Sequence, residues 1–476
     1  MNCFNTFLFL IALCAFASNV CAEEPSQPNI VLINVDDLGW ADLACQGSKY
    51  YKTPNVDRLA SQGMRFTNAY AAASNCAPSR ACMLTGQYGP RHGVYTVNNS
   101  NRGKAEHRKL IPVRNTTSIA GDNLTIAGLL ETADYQTISI GKWHVSNDPL
   151  RNGFDQNVAG SRIGHPGAKE GGYHSPFNYP NCVSEKEGEY LTDRLTDEAI
   201  SFATENKDKK FFLYLPFYTV HSPIQPKADK KKKWKAVAKQ PGQRSAAYAA
   251  MVESMDENVG RLMTSLDELG IADRTVVIFT SDNGGVWSYS HQDPLRAGKG
   301  SYFEGGIRVP LIVRWPGKIE SATTSDEPVI NVDFMPTIAD IAAVKIPAGK
   351  QIDGQSIAGL LSGEVAKLPE RSLFWHFPIY LQASGRKKDK FVTHDRWFRT
   401  RPGSVVRSGK WKLHEYFEDG RLELYDLDSD VGETKNVAAQ NPDIANRLHA
   451  QLKNWRQKTE APVPTELNPE YVAKPQ

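Results

Sequence analysis

The 476-residue chain has no surplus of either charge: 56 Lys and Arg face 53 Asp and Glu, a formal net charge of +3. Such balance leaves no electrostatic case for a nucleic-acid binder. There is no internal repeat and no low-complexity tract, so neither a solenoid nor a disordered chain is indicated. No apolar run reaches the ~20 residues of a membrane-spanning helix, which excludes a polytopic membrane protein. Cysteine is scarce, seven in all, too few for a disulfide scaffold, and no His-rich zinc spacing occurs. What is present is an apolar fraction of 40%. That suffices for cores in about three domains, or in one large α/β domain with a smaller companion.

Three of the seven cysteines, Cys3, Cys14 and Cys21, lie in the first 22 residues, which carry no charged side chain. Phe7 to Ala17 is apolar, and Val20-Cys21-Ala22 precedes Glu23-Glu24 as a small-residue cleavage site. Residues 1–22 therefore read as a signal peptide, although its n-region lacks the usual Lys or Arg. Bulky Leu13 and Val20 disfavour a lipoprotein anchor at Cys14 or Cys21. The chain is expected to be secreted or periplasmic, with no membrane span after cleavage. It would keep Cys45, Cys76, Cys82 and Cys182, as two bridges, one bridge with spares, or another arrangement.

Short apolar runs alternate with helical patterns, which predicts a large, mostly parallel sheet sandwiched by helices. The predicted strands are Asn29–Val35, Tyr135–Ile140, Phe211–Phe217, Thr275–Thr280 and Arg308–Val313. Helices are predicted from Leu124 to Ala133 and from Tyr248 to Leu269, the second stopped by Gly270. Beyond about residue 365 the pattern changes to short alternating strands around Leu373–His376, Ser404–Tyr416 and Leu422–Asp426, then a helix from Pro442 to Lys458. The expected organisation is a catalytic domain over 23–364 and a smaller C-terminal α+β domain on an antiparallel sheet over 365–476.

Asp36/Asp37, Lys142/His144, His221 and Asp282/Asn283 each follow the carboxyl end of a predicted strand, where open α/β sheets bind ligands. Asp36, Asp37, Asp282 and Asn283 offer three carboxylates and an amide oxygen, hard ligands that suit Ca2+ or Mg2+. Either pair alone reads as turn chemistry. Together at one sheet edge they make a divalent-cation site.

The stretch Ser74-Asn75-Cys76-Ala77-Pro78-Ser79-Arg80-Ala81-Cys82-Met83-Leu84-Thr85-Gly86 resembles the signature of the type I, formylglycine-dependent sulfatases, within the alkaline phosphatase-like superfamily. The resemblance extends to Thr53–Leu59, Gly141-Lys-Trp-His144, His221-Ser-Pro223, Thr280–Gly284, Gly298-Lys-Gly300 and Glu304–Pro310. In the small domain it continues to Leu424-Tyr-Asp426, Gly432-Glu433 and Asn436-Val-Ala438.

This resemblance implies an alkaline phosphatase-like fold and oxidation of Cys76 to Cα-formylglycine by a formylglycine-generating or sulfatase-maturing enzyme. The aldehyde hydrate carries two hydroxyls, one to attack sulfur and one to expel the sulfate from the covalent adduct, a step a plain serine could not complete. By similarity Asp36, Asp37, Cys76, Asp282 and Asn283 hold Ca2+, which neutralises charge on the sulfate. Arg80 steadies the hydrate, and Lys142 and Lys299 bind sulfate oxygens. His144 takes the proton that releases sulfate, and His221, with Lys299, protonates the leaving alcohol.

The implied activity is hydrolysis of a sulfate ester, with a sulfated carbohydrate as the expected substrate. The alternatives are a phosphodiesterase or phosphonate monoester hydrolase of the same superfamily, and a non-catalytic sulfated-glycan binding protein. Arg396 and Arg399, among aromatic neighbours, are candidate substrate-binding residues together with His376 and His174, the last in a loop with His165 and Tyr173. Arg386-Lys-Lys388 belongs to the same basic cluster. His92 reads as a packing or supporting residue, and Lys230–Lys233 as a solvated helix face.

Overall fold

The computed structural model describes residues 27–383, 395 and 397–473. The predicted signal peptide, Arg386-Lys-Lys388 and Arg396 lie outside the described residues.

An eight-stranded sheet forms the centre of the fold. Its spatial order is Thr323–Ser325, Met64–Phe66, Leu311–Arg314, Thr275–Ser281, Asn29–Val35, Phe211–Phe217, Gln136–Ile140 and Gln156–Val158. Only Leu311–Arg314 runs against its neighbours; every other pairing is parallel. The sequence placed that strand's start at Arg308, but Pro310 has no N–H to give a ladder and pairing within this sheet begins after it, Arg308 bridging Tyr70 instead.

The three central strands are buried along their whole length, as their near-continuous apolar sequences require. Side chains alternate between two cores. Val31, Ile33 and Val35 meet the helices Leu191–Glu205 and Ala246–Glu268, whereas Ile30 and Leu32 meet Cys76–Thr85, Ile126–Glu131 and Phe334–Ile341. Each such side chain contributes ~1.5–3 kcal/mol of burial.

A four-stranded antiparallel sheet, ordered Ser372–Phe377, Gly403–Ser408, Trp411–Tyr416 and Leu422–Asp426, forms the C-terminal unit. Leu448, Leu452 and Trp455 of the helix Pro442–Lys458 pack on Val406, Leu413 and Leu424.

Register aligns the functional loops. Val35 lies beside Phe217 and Ser281, so the chain leaves all three strands at one level. Asp36 N donates to the Thr219 carbonyl (3.1 Å), Val220 N to the Asp36 carbonyl (2.9 Å), and Asp282 N to the Val35 carbonyl (3.3 Å).

Cys45, Cys76, Cys82 and Cys182 are all unbridged. Lys230 and Lys233 of the helix Ala228–Lys235 pair with Glu253 and Glu257 of the long helix behind. No helix among the described residues is long and apolar enough to cross a membrane.

Candidate active site

Cys76 is the first residue of a ten-residue helix, Cys76–Thr85, entered from extended Asn75. The orphan N–H groups of that turn favour negative charge. Its Sγ lies 3.6 Å from Asp36 Oδ1 and receives Lys299 Nζ at 3.1 Å. One turn on, Arg80 donates Nε to Asp282 Oδ2 at 2.8 Å and Nη1 to the Lys142 carbonyl at 2.6 Å.

The two lysines meet different carboxylates. Lys142 Nζ meets Asp36 Oδ2 at 2.6 Å, and Lys299 Nζ meets Asp37 Oδ1 at 2.6 Å. Asn283 Nδ2 donates to Asp37 Oδ1 at 2.9 Å, and Asp37 N to Asp282 Oδ1 at 3.2 Å. His221 Nε2 stands 3.6 Å from Asp37 Oδ2. Asp36, Asp37, Cys76, Arg80, Lys142, Asp282 and Asn283 are all buried. Charges so placed persist only because each is paired.

Two site residues sit in the left-handed region, Asp37 at φ 63° and His144 at φ 68°. Such conformations cost ~1–3 kcal/mol and are held by their surroundings. His144 N donates to the Ser161 carbonyl at 2.9 Å. Gly164 lies so close that a Cβ there would fall 2.2 Å from the His144 ring.

The electrostatics separate the two histidines. Burial, reinforced by Lys142 and Arg80, pushes His144 well below the ordinary imidazole range. Burial and Lys299 also press His221 down, but Asp36 and Asp37 outweigh them and raise it. A neutral imidazole that can accept a proton thus faces a charged one that can donate. Burial raises the Cys76 thiol, yet Lys142 and Lys299 more than offset this and bring it to about 6. Burial, with Asp282 and Cys76 nearby, lifts Asp36 well above the carboxylate range despite Lys142. Loss of hydration is the larger cause, and the two neighbouring negative groups add to it.

A divalent cation suits this donor set. Asn283 Oδ1 is buried without a hydrogen-bond partner, and Asp36, Asp37, Cys76 and His221 carry ligand atoms within 4.8 Å of one another. Oxygen donors from Asp282 and Asn283 make the set hard, as Ca2+ prefers.

The cluster forms the floor of a cavity of about 500 Å3 lined by Cys76, His144, His165, His221, Lys299, Arg102 and Arg399, with Val97, Ile163 and Leu381 as its aliphatic wall. A larger cavity of about 700 Å3 lies in the C-terminal unit among Tyr302, Trp375, Trp397, Arg401 and His414. None of the carboxylates at Cys76 borders it, so the chemistry belongs to the smaller one.

Residues 28–344 match the sulfatase family model, and 298–458 match the model for the C-terminal region of N-sulphoglucosamine sulphohydrolase. The chain belongs to the sulfatase family. It is 35% identical to a sulfatase of Formosa agariphila, with 96% of this chain and 93% of that protein covered. It is 30% identical to the steryl-sulfatase of Mus musculus over 94% of this chain and 85% of the relative. Among solved structures, Ps i-CgsB in complex with k-i-k-neocarrahexaose superposes with a TM-score of 0.73 at 28% identity, covering 90% of this chain and 92% of that one. The protein is a sulfuric ester hydrolase.

The sulfatase's other candidate residues fall into place differently. Arg399 lines the cavity, its Nη1 donating to the Lys299 carbonyl at 3.3 Å. His376 does not reach it. That ring is buried between Ser404 Oγ (2.8 Å) and the Pro462 carbonyl (2.9 Å), and burial holds it at about 3. It is a packing histidine of the C-terminal sheet. His174 is also displaced from the site: exposed, with its ring 5.0 Å from Tyr190. Its neighbour Tyr173 instead props His221, donating to the carbonyls of Tyr218 (2.6 Å) and His221 (2.9 Å). His165, of the same loop, does line the cavity, 6.3 Å from the His221 ring. His92 is buried against Cys82 Sγ (3.4 Å) and Val94 N (3.1 Å), a structural role.

Sequence reasoning passed over Arg102, Gln382 and Gly164. Nothing in Asn98–Gly103 marks Arg102; only the return of a C-terminal hairpin brings it to the site. Gly164 had a signal, a small residue one step before a histidine, but its meaning depends on where His144 points.

Proposed function

We propose that this sulfatase acts on a sulfated carbohydrate, through Cα-formylglycine formed from Cys76 and with Ca2+ held by Asp36, Asp37, Asp282 and Asn283. The observation that carries the reading is the convergence on Cys76 of Lys299 (3.1 Å), Asp36 (3.6 Å) and, through shared carboxylates, Lys142 and Arg80. Such a pocket places a nucleophile, an anion-binding site and hard cation ligands at one point.

The modified residue would supply a hydroxyl that forms a bond to sulfur and a second hydroxyl whose collapse to aldehyde releases sulfate. The cation would draw sulfate oxygens toward that hydroxyl and neutralise developing charge. Lys142 and Lys299 orient the remaining sulfate oxygens. His221 holds a proton at Nε2 for the leaving alcohol, while its Nδ1 stays fixed by the Ser222 carbonyl at 2.6 Å. His144 accepts the proton freed when sulfate leaves. Arg80, locked by two hydrogen bonds, keeps the helix turn under residue 76 in place.

The cavity wall supports a sugar over a sterol. Its described aliphatic side chains are only Val97, Ile163 and Leu381, set among Asn98, Arg102, Gln382 and Arg399. A flat apolar ligand would leave those polar groups unmatched. Export by the apolar segment at residues 1–22, and maturation by a formylglycine-generating or sulfatase-maturing enzyme, complete the proposal.

The test is the mass of the tryptic peptide Phe66–Arg80 from active protein, read beside turnover of matched aryl sulfate and aryl phosphonate esters. A peptide carrying aldehyde in place of thiol, with the sulfate preferred and activity lost to a calcium chelator, is the expected result. Active protein with only unmodified Cys76 would overturn the formylglycine step. Preference for the phosphonate would favour the rival hydrolase.

A further inference from the structure

The cavity beside Cys76 carries arginines beyond the charged groups that surround Cys76 itself. Its described lining contains no Asp or Glu, yet three arginines line it in addition to Lys299: exposed Arg162, hydrogen-bonded to Thr117, and the pair Arg102 and Arg399. Both arginines are fixed by one hairpin, in which Leu381–Gln382 pairs antiparallel with Phe398–Thr400. Gln382 Oε1 accepts Arg102 Nε at 2.8 Å, while Arg399 Nη1 reaches the Lys299 carbonyl at 3.3 Å and Thr400 Oγ1 donates to the Gly300 carbonyl at 2.6 Å. Two glycines permit this closeness: a Cβ on Gly300 would fall 2.6 Å from Leu381, and one on Gly103 would fall 2.7 Å from Phe398. Three segments distant in sequence are thereby locked beside the nucleophile.

Arg102 is half-buried, and its remaining hydrogen bond runs from Nη1 to the Val97 carbonyl at 2.9 Å. Among the described residues it meets no carboxylate. Burial, together with repulsion from Arg399, presses its guanidinium below the ordinary arginine range. A guanidinium held beside a cavity wall without a carboxylate, as Arg102 is among the described residues, favours an anion next to it. The guanidinium fork suits the paired oxygens of carboxylate or sulfate.

We propose that Arg102 and Arg399 form an anion subsite for a second negative group of the substrate, a further sulfate or a carboxylate on the sugar whose reacting ester lies at Cys76. The proposal rests on the sulfated-carbohydrate reading and narrows it to sugars with at least two negative charges.

The experiment compares kcat/KM for sulfate release from three disaccharide sets: neutral-backbone monosulfated, disulfated, and monosulfated with a uronic acid. The intact enzyme is expected to favour disulfated or uronate-bearing substrates at least tenfold over the neutral monosulfated ones, and which set gains identifies the second anion. In the folded Arg102→Gln/Arg399→Gln protein that ratio should fall to within twofold of unity. If this double variant fails to fold by its melting curve, Arg102→Gln alone should cut the ratio at least threefold. Equal kcat/KM for all sets in the intact enzyme, or a preference that survives substitution, overturns the subsite. Absence of sulfate release from every disaccharide instead overturns the carbohydrate reading beneath it.

Discussion

Lys299 Nζ lies 3.1 Å from Cys76 Sγ. The same ammonium is 2.6 Å from Asp37 Oδ1, so one point charge joins the proposed nucleophile to a carboxylate of the proposed cation site. Its segment, Gly298-Lys-Gly300, is held by Lys299 N donating to the Gly285 carbonyl (2.9 Å) and Gly300 N to the Ser74 carbonyl (2.7 Å). A charge fixed this way acts where charge develops rather than on substrate generally. Lys299→Ala should lower kcat by ~10²–10³ with a smaller change in KM. Lys299→Arg should not rescue it, because a planar fork cannot occupy a point-charge site. Steady-state kinetics on a sulfate ester decides: a raised KM at unchanged kcat would make Lys299 a ground-state binder only.

Gly164 tests the placement of His144. A methyl there would meet ring atoms Cε1 at 2.2 Å and Nε2 at 2.4 Å, and the left-handed His144 backbone leaves the ring little freedom to retreat. Gly164→Ala should therefore move the imidazole by about an ångström and lower kcat by about 10²-fold, while the melting temperature changes little. Unchanged kcat would show that His144 does not need this position.

Lys412 ties the C-terminal sheet to the helix Glu304–Ile307. This residue is fully buried, with Nζ 2.8 Å from Glu304 Oε1 and 3.0 Å from Glu433 Oε1. Glu433 Oε2 also accepts the Glu304 N–H at 2.6 Å, and Arg308 Nη1 lies 3.3 Å from Glu304 Oε2. Burial raises Glu304, but Lys412 and Arg308 overcome it and hold the carboxyl at about 2. Lys412→Met would leave two buried carboxylates short of a counter-charge. A stability loss of ~3–5 kcal/mol is expected, measured by urea unfolding of the full chain. A loss below 1 kcal/mol would mean that the cluster relaxes into water.

Much of the fold was legible because its central strands are buried on both faces and so cannot alternate. Asn29–Val35 and Phe211–Phe217 were bounded in the sequence as they stand in the structure. Three-residue strands such as Met64–Phe66 and Gln156–Val158 carry too few residues for any period to emerge. That the residues around Cys76 converge was legible for a different reason: they sit at strand ends inside short motifs. The substrate wall was not. Arg102, Gln382 and Arg399 come from segments about 300 residues apart, and His376 looks like a ligand residue only until the helix Pro442–Lys458 and the chain beyond it bury its ring.

His376 gives the pH prediction. Burial holds its imidazole at about 3 in the folded chain, against ~6.5 when unfolded. Below pH ~6.5 the unfolded chain therefore binds a proton that the folded chain refuses, and stability falls as pH drops toward 3. Between pH 7 and 4.5 this one residue accounts for roughly 2–3 kcal/mol of acid destabilisation. His376→Gln keeps hydrogen-bonding groups toward Ser404 and Pro462 but cannot titrate. Unfolding free energies from urea titrations at the two pH values should draw closer in the variant by about that amount, with kcat and KM on a sulfated sugar unchanged because the ring lies outside the cavity at Cys76. An unchanged gap between these free energies would mean that His376 is protonated in the folded state, and a raised KM would return it to the substrate wall.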